Sequence, residues 1–156
     1  MSDTISMLSR DEIRAIHDDI VGEYNNPEGM RNDVALDRVE MLPAEFFPSE
    51  LASTMESVIR IIAIEHSFVD GNKRTAINCA SVLAARAGYE FPVTKNLGLI
   101  LKTLGVDQRV ISDDGFESYL DESLVPTSRF EGLNATEAAE ENREMYREAY
   151  DWLEHN

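Results

Sequence analysis

Eleven consecutive residues, 66–76, bring together side chains that serve in phosphate chemistry. The stretch reads HSFVDGNKRTA, and apolar segments precede and follow it. His66 carries an imidazole whose ordinary pKa of about 6.5 suits a general base at neutral pH. Asp70 offers a carboxylate of the kind that binds Mg²⁺ together with phosphate oxygens. These two side chains predict a base and a metal ligand on one loop.

The second half of the stretch predicts a phosphate cradle at the start of a helix. Gly71 allows a tight backbone turn and the close approach of a ligand. Asn72 can donate its side-chain amide, and Lys73 and Arg74 add positive charge where the helix dipole is also positive. The apolar ring of Phe68 is predicted to be buried and to anchor the loop. Together these parts indicate a site for phosphoryl or nucleotidyl transfer.

A structural interpretation competes with this one. A glycine-containing turn between two helices, capped by polar side chains, needs no ligand. An isolated histidine or a lone Gly-Asn pair would favour that interpretation. The presence of a base, a carboxylate, a glycine and two cations in one loop favours the functional one.

The segments around the loop have the hydrophobic period of helices. A capping-box pattern at residues 9–12 precedes the first of them. One helix is predicted to end near Glu65, and another to begin near Asn72 or Lys73 and to run to about Ala87, with Gly88 as its C-terminal stop. No alternating strand pattern of useful length occurs. The predicted class is all-α, a single bundle with the motif between two central helices.

The charge limits the classes of ligand. The 156-residue chain carries a net charge of −16, from 30 acidic and 14 basic residues. A surface this negative argues against nucleic acid as a partner, because phosphate backbones are bound by basic surfaces. Low lysine content with many acidic residues fits a protein that stays soluble in high salt. An ordinary acidic protein fits equally well.

Other features of the sequence predict a cytoplasmic protein. No apolar run approaches the roughly 20 residues that a membrane-spanning helix needs. The first residues lack the basic start and apolar stretch of a secretory signal. Cys79 lies in an apolar segment and is expected to be a buried thiol in a reducing compartment. Neither a membrane nor a disulfide is expected.

The motif H-x-F-x-D-G-N-K-R at residues 66–74 resembles the active-site loop of the Fic/Doc (Fido) superfamily. It is most similar to the Doc, or death-on-curing, branch. The resemblance covers roughly residues 8–124 and includes IHDDIV at 16–21 and GMRNDVAL at 29–36. It implies an all-α fold and an enzyme that transfers part of a nucleoside triphosphate, such as ATP, to a hydroxyl group of a target protein.

The resemblance also implies a role for each motif residue. His66 would be the general base acting on the target hydroxyl, and Asp70 would bind Mg²⁺. Phe68 would anchor the loop. The remaining residues would bind and neutralise the phosphates of the nucleotide: Gly71, Asn72, Lys73 and Arg74.

Two positions separate the branches of the family. Proteins that transfer AMP have glycine where this chain has Lys73 and a second arginine where it has Ile77. The resemblance to Doc therefore implies a toxin of a toxin–antitoxin system that phosphorylates a Ser or Thr of a protein such as elongation factor Tu. An antitoxin would be its second partner. Gly71 is the Fic-like choice, so AMP transfer is the first alternative, and a catalytically silent Fido-fold binding module is the second.

Two further segments correspond to regulatory or docking parts of the family. MLPAEFFPSE, at residues 41–50, has the place of the flap that docks the target, so Phe46 and Phe47 are either exposed contacts or core residues. TSRFEG, at 127–132, matches the inhibitory pattern [ST]-x-x-x-E-[GN] and suggests an inhibitory role for Glu131. Ile77 cannot supply the arginine with which such a glutamate pairs.

The resemblance divides the chain into three parts. Residues 1–125 would form the Fic/Doc domain, 126–133 a linker, and 134–156 an acidic C-terminal helix. The apolar stripe along that helix favours packing on the bundle over binding a partner chain.

Overall fold

The computed structural model describes residues 4–24, 34–65, 68, 71–97, 99 and 113–155. These residues are mostly helical. None of the described helices is both long enough and apolar enough to cross a membrane. The α-helices are α1 (Arg10–Glu23), α2 (Val34–Glu40), α3 (Leu51–Glu65), α4 (Asn72–Arg86), α5 (Asp113–Ser123), α6 (Ala135–Met145) and α7 (Arg147–His155), and a 3-10 turn, Pro48–Glu50, leads into α3.

Two small antiparallel sheets accompany the helices, so the predicted all-α class is corrected to a mostly helical one. β1 (Ile5–Ser6) pairs with β2 (Glu45–Phe46), with Ile5 opposite Phe46. β3 (Tyr89–Glu90) pairs with β4 (Val125–Pro126). Each strand has two residues, which is too short for apolar and polar residues to alternate visibly in the sequence.

The predicted start of α1 and the predicted helix ends around the motif are confirmed. Ser9 caps α1 in a capping box, in which its hydroxyl accepts from Glu12 N at 3.1 Å and Glu12 Oε1 accepts from Ser9 N at 2.9 Å. α3 ends at Glu65 and α4 begins at Asn72. Gly88, with φ of 87°, follows the end of α4 in the left-handed conformation that stops a helix.

The central helix of the fold is α4, which contacts α1, α3, α6 and α7. The side chains of residues 75–84 are at most 3% exposed. Small residues recur every four positions at Ala76, Ala80 and Ala84, and they allow neighbouring helices to approach closely. α3 packs against this helix, so the two helices that flank the motif in the sequence are in contact with each other.

The C-terminal segment differs from its prediction in one respect. Residues 134–156 were expected to form one helix, but the structure divides the segment into α6 and α7 at Tyr146, whose φ and ψ are −120° and 35°. Asn134, the first residue of the predicted helical segment, caps α6. α6 contacts α1 and α4, α7 contacts α4, and Tyr150 and Leu153 are buried. The predicted packing of this segment on the bundle is confirmed.

Candidate functional site

The structure describes part of the predicted phosphate site. Phe68 and the residues from Gly71 onward are described, whereas His66 and Asp70 lie outside the described residues. Within the described ranges, no group of three His, Cys, Asp or Glu side chains is placed to hold a metal ion. The described part of the predicted site consists of the loop anchor, Phe68, and the cationic start of α4.

Gly71 forms the turn that starts α4, with φ of 79° and ψ of 15°. A Cβ atom at this position would lie 3.2 Å from Val21 Cγ1 and 3.7 Å from both His17 Cδ2 and Arg74 Nη2. The backbone angle and the limited space both favour glycine. The tight turn is therefore confirmed, and α1 supplies much of the crowding around it.

Asn72, the first residue of α4, holds the loop by its side chain. Its Oδ1 accepts from Phe68 N at 3.1 Å, and its Nδ2 donates to Phe68 O at 2.9 Å. The residue is 8% exposed. Because both backbone groups of Phe68 are satisfied in this way, the amide of Asn72 closes the loop on itself. This role was not predicted, and it uses the amide that was expected to donate to a phosphate.

Phe68 is buried, as predicted for a loop anchor. Its ring stacks on the imidazole of His17, with ring centroids 3.7 Å apart and planes 10° from parallel. His17 is 0% exposed and Phe68 is 1% exposed. The contact of His17 with the motif was not predicted, because the two residues are far apart in the chain. The position of His17 in the apolar stripe of α1 was the available signal.

Arg74 and Lys73 lie in the first turn of α4. The amides of such a turn point out of the helix end, where the dipole is positive, and both cations add to that charge. Arg74 is 2% exposed, whereas Lys73 is partly exposed. The guanidinium of Arg74 is thus almost fully withdrawn from solvent at the start of α4.

The ring of Tyr24, at the end of α1, lies beside the guanidinium of Arg74. The Arg74 Cζ atom is 4.8 Å from the ring centroid. The tyrosine hydroxyl donates to Asp151 Oδ1 at 2.8 Å and accepts from Arg147 Nη1 at 3.1 Å. Burial, together with the hydrogen bond to Asp151, raises the pKa of Tyr24 to about 12. Tyr24 follows His17 by seven residues, about two helical turns, and its contact with Arg74 was not predicted.

Ile77 follows Arg74 by about one helical turn and is 0% exposed. Its side chain belongs to the apolar core. At the position where the resemblance would place the second arginine of the AMP-transferring proteins, this chain has a core residue, which brings no charge to the helix end.

The two candidate docking residues, Phe46 and Phe47, differ in their exposure to solvent. Phe46 is 4% exposed and packs in the core, so of the two alternatives left open for it, exposed contact or core residue, the structure shows the core residue. Phe47 is 57% exposed and Met41 is 83% exposed. Phe46 is the last residue of β2, and Phe47 follows it in extended backbone, so the two successive side chains point to opposite faces. Phe47 and Met41 are thus the apolar residues that this segment presents to solvent.

Glu131, the expected inhibitory residue, lies in an exposed turn near the other end of α4. Its neighbour Phe130 lines a cavity together with Val82 and Arg86. Val82 comes ten residues after Asn72, which corresponds to about 15 Å along the helix axis. The structure does not bring Glu131 to the motif.

A buried polar network connects α1, α4 and the C-terminal helices. Arg143, 1% exposed, donates to Asn78 Oδ1 at 2.8 Å and to the two carboxylate oxygens of Glu23 at 2.8 and 3.2 Å. Asn78 Nδ2 donates to the Tyr150 hydroxyl at 3.2 Å. Burial opposes the ionisation of Glu23, but Arg143 and Arg147 outweigh it, so the pKa of Glu23 is lowered. Sequence reasoning missed this network, because charged residues in an amphipathic helix are ordinarily assigned to the solvent face.

The arrangement as a whole suits an anion. A glycine turn feeds a helix N-terminus that carries two cations, and a stacked and hydrogen-bonded anchor fixes the loop beside it. No protein-family model matches the chain, and no curated protein shows significant similarity to it. The family expected from the motif stays a prediction.

Proposed function

We propose that the protein is a Doc-like toxin that transfers the γ-phosphoryl group of a nucleoside triphosphate to a Ser or Thr hydroxyl of a target protein. The observation that carries the proposal is the geometry of the start of α4. Gly71 turns the backbone with φ of 79°, and Lys73 and Arg74 follow at the positive end of the helix. Such an end binds phosphate readily.

The proposed reaction uses the side chains of the motif in distinct roles. The target hydroxyl oxygen attacks the γ-phosphorus, the bond between that phosphorus and the bridging oxygen breaks, and the nucleoside diphosphate leaves. The hydroxyl proton passes to His66. Lys73, Arg74 and the first-turn amides stabilise the charge on the phosphate oxygens. Asp70 supplies a carboxylate that suits Mg²⁺ together with phosphate oxygens, and a bound ion would neutralise part of the triphosphate charge.

The choice of the γ-phosphate is supported by two positions in α4. Lys73 adds a cation where AMP-transferring proteins have glycine, and Ile77 is a core residue where they have a second arginine. Transfer of AMP is the second candidate, and Gly71 is the feature that favours it. The two reactions break different bonds of the triphosphate, so they leave different parts of it on the target.

Docking of the target is proposed at β2. Met41 and Phe47 expose apolar surface on either side of this strand. β1 pairs with one edge of β2, and the opposite edge is the proposed place for a segment of the target. Elongation factor Tu is the kind of target that the resemblance implies, and an antitoxin would restrain the toxin in the cytoplasm.

Expression in cells tests whether the protein acts as an enzyme. The parent chain should arrest growth, whereas a chain with His66→Ala should not. A His66→Ala variant that is as toxic as the parent at equal expression would favour the silent binding module. Glu148→Gln is a matched control, because Glu148 is an exposed residue of α7 that pairs with Lys95 at 3.2 Å.

A further inference from the structure

The last helix, α7, reaches the end of α1 through Tyr24. The hydroxyl of Tyr24 donates to Asp151 Oδ1 at 2.8 Å and accepts from Arg147 Nη1 at 3.1 Å. The Arg147 guanidinium also lies 5.8 Å from the ring centroid. Two side chains of α7 thus fix the orientation of this ring.

The same ring contacts the motif. Arg74 Cζ lies 4.8 Å from the Tyr24 centroid, and Arg74 Nη2 lies 3.7 Å from the place where a Cβ on Gly71 would stand. A guanidinium above an aromatic face is attracted by the ring, and the attraction is stronger where water is excluded. Arg74 is 2% exposed. The ring is therefore well placed to hold the guanidinium beside the turn that starts α4.

We propose that Tyr24 is a positioning residue for Arg74, and that α7 sets its orientation through Asp151 and Arg147. The inference rests on the proposed function, because it concerns the geometry with which Arg74 binds a phosphate. It makes α7 a supporting part of the nucleotide site. The segment beyond the motif then promotes nucleotide binding instead of restraining it.

The hydroxyl of Tyr24 is the link between α7 and the ring. A phenol that donates to a carboxylate gains electron density, and its ring then attracts a cation more strongly. A tyrosine hydroxyl is protonated at neutral pH and can donate to Asp151, and burial raises the pKa of Tyr24 further, to about 12. Loss of Asp151 should therefore weaken the hold on Arg74 even though the ring remains.

Three variants separate the ring from its hydroxyl. Tyr24→Leu removes both, Tyr24→Phe removes only the hydroxyl, and Asp151→Asn removes only the charged acceptor on α7. Glu148→Gln is the control, since it removes a carboxylate of the same helix, one that accepts a hydrogen bond from Lys95.

The first measurement is the affinity for MgATP by calorimetry. We expect Tyr24→Leu to raise the Kd about tenfold, and Tyr24→Phe and Asp151→Asn to raise it about threefold each. The double variant that combines Tyr24→Phe with Asp151→Asn should bind like Tyr24→Phe alone, because Asp151 acts through the hydroxyl. Glu148→Gln should bind like the parent. Additive effects, a change of equal size in the control, or tighter binding by the Tyr24 and Asp151 variants would overturn the proposal.

The second measurement does not need the nucleotide. The side-chain protons of Arg74 should show an upfield ring-current shift in the NMR spectrum of the parent, and Tyr24→Leu should abolish it. Asp151→Asn should change that shift, and Glu148→Gln should leave it unaltered. If the parent binds no nucleotide, the proposed function fails, while these signals still decide whether α7 holds Arg74 through Tyr24. Arg74 signals that are the same in the parent and in Tyr24→Leu would contradict the inference.

Discussion

The imidazole of His17 lies flat on the ring of Phe68, with centroids 3.7 Å apart and ring planes 10° from parallel. This contact joins α1 to the loop that precedes α4. Both side chains are almost fully excluded from solvent. The loop is thus held by a helix that lies about fifty residues earlier in the chain.

Replacement of His17 tests the importance of this stack. His17→Ala should lower the free energy of unfolding by about 2–3 kcal/mol, because it leaves a cavity against the Phe68 ring. His17→Phe, which keeps an aromatic ring there, should cost less than about 1.5 kcal/mol. Urea denaturation measures both values. Equal losses for the two variants would show that the ring contact is not what holds the loop.

The side chain of Asn72 should contribute more to the free energy of unfolding than an ordinary surface amide does. Asn72→Ala leaves the backbone N–H and C=O of the buried residue Phe68 without these partners, and we expect a loss of about 2–3 kcal/mol. Asn72→Asp keeps an acceptor for Phe68 N and should cost less.

Hydrogen exchange provides a local measurement of the same contact. The amide of Phe68 should exchange slowly in the parent and much faster in Asn72→Ala. Thr136→Ala is a suitable control, since its hydroxyl donates to Asn134 Oδ1 in an exposed cap far along the chain. Unchanged exchange at Phe68 in Asn72→Ala would argue against the clamp.

Two glycines separate backbone strain from crowding. Gly71 and Gly88 have similar φ values of 79° and 87°, but a Cβ would lie 3.2 Å from Val21 at Gly71 and would meet nothing within 4 Å at Gly88. We expect Gly88→Ala to cost about 1 kcal/mol, from the left-handed backbone alone. Gly71→Ala should cost about 2–3 kcal/mol, because strain and contact with Val21 add. Similar losses in thermal or urea unfolding for both variants would contradict this account.

The ion pairs of Glu23 should make stability depend on pH. Arg143 and Arg147 hold the pKa of Glu23 below its ordinary value of 4.5, in spite of the opposing effect of burial. A lowered folded-state pKa stabilises the protein above the unfolded-state pKa, and the contribution is lost as the pH falls through the folded-state value.

The matching measurement compares the parent with Glu23→Gln from pH 7 downward. The difference in the free energy of unfolding should be largest at pH 7 and should shrink below about pH 4.5. Glu148→Gln, which alters an exposed pair, should show little difference at either pH. A difference for Glu23→Gln that stays constant down to pH 3 would rule out the ionised carboxylate as its source.

The sequence predicted those parts of the fold that depend on local signals. Ser9 with Glu12, Asn134, and Gly88 mark helix ends because caps and stops act within a few residues. The two small sheets were missed, since two-residue strands leave no pattern. The break at Tyr146 was also missed, because no proline or glycine marks it and its hydroxyl donates to Glu90 Oε2, far away in the chain, at 2.7 Å.

In the candidate site, too, the features set by neighbouring residues were predicted, and those set by distant residues were not. The turn at Gly71 and the cationic start of α4 follow from residue types in one stretch, and both are present in the structure. The supports of the motif come from elsewhere: His17 and Tyr24 from α1, and Asp151 from α7. Such contacts depend on how helices pack in three dimensions, which single-sequence patterns do not specify.

The proposed reaction moves the γ-phosphoryl group of ATP to a protein hydroxyl. The most direct measurement incubates the purified protein with Mg²⁺, a cell extract, and ATP labelled at either the α- or the γ-phosphate, with His66→Ala as the control. The account predicts a protein band labelled from γ-labelled ATP alone, sensitive to phosphatase and absent with His66→Ala. A band labelled only from α-labelled ATP would contradict it and would establish transfer of AMP instead.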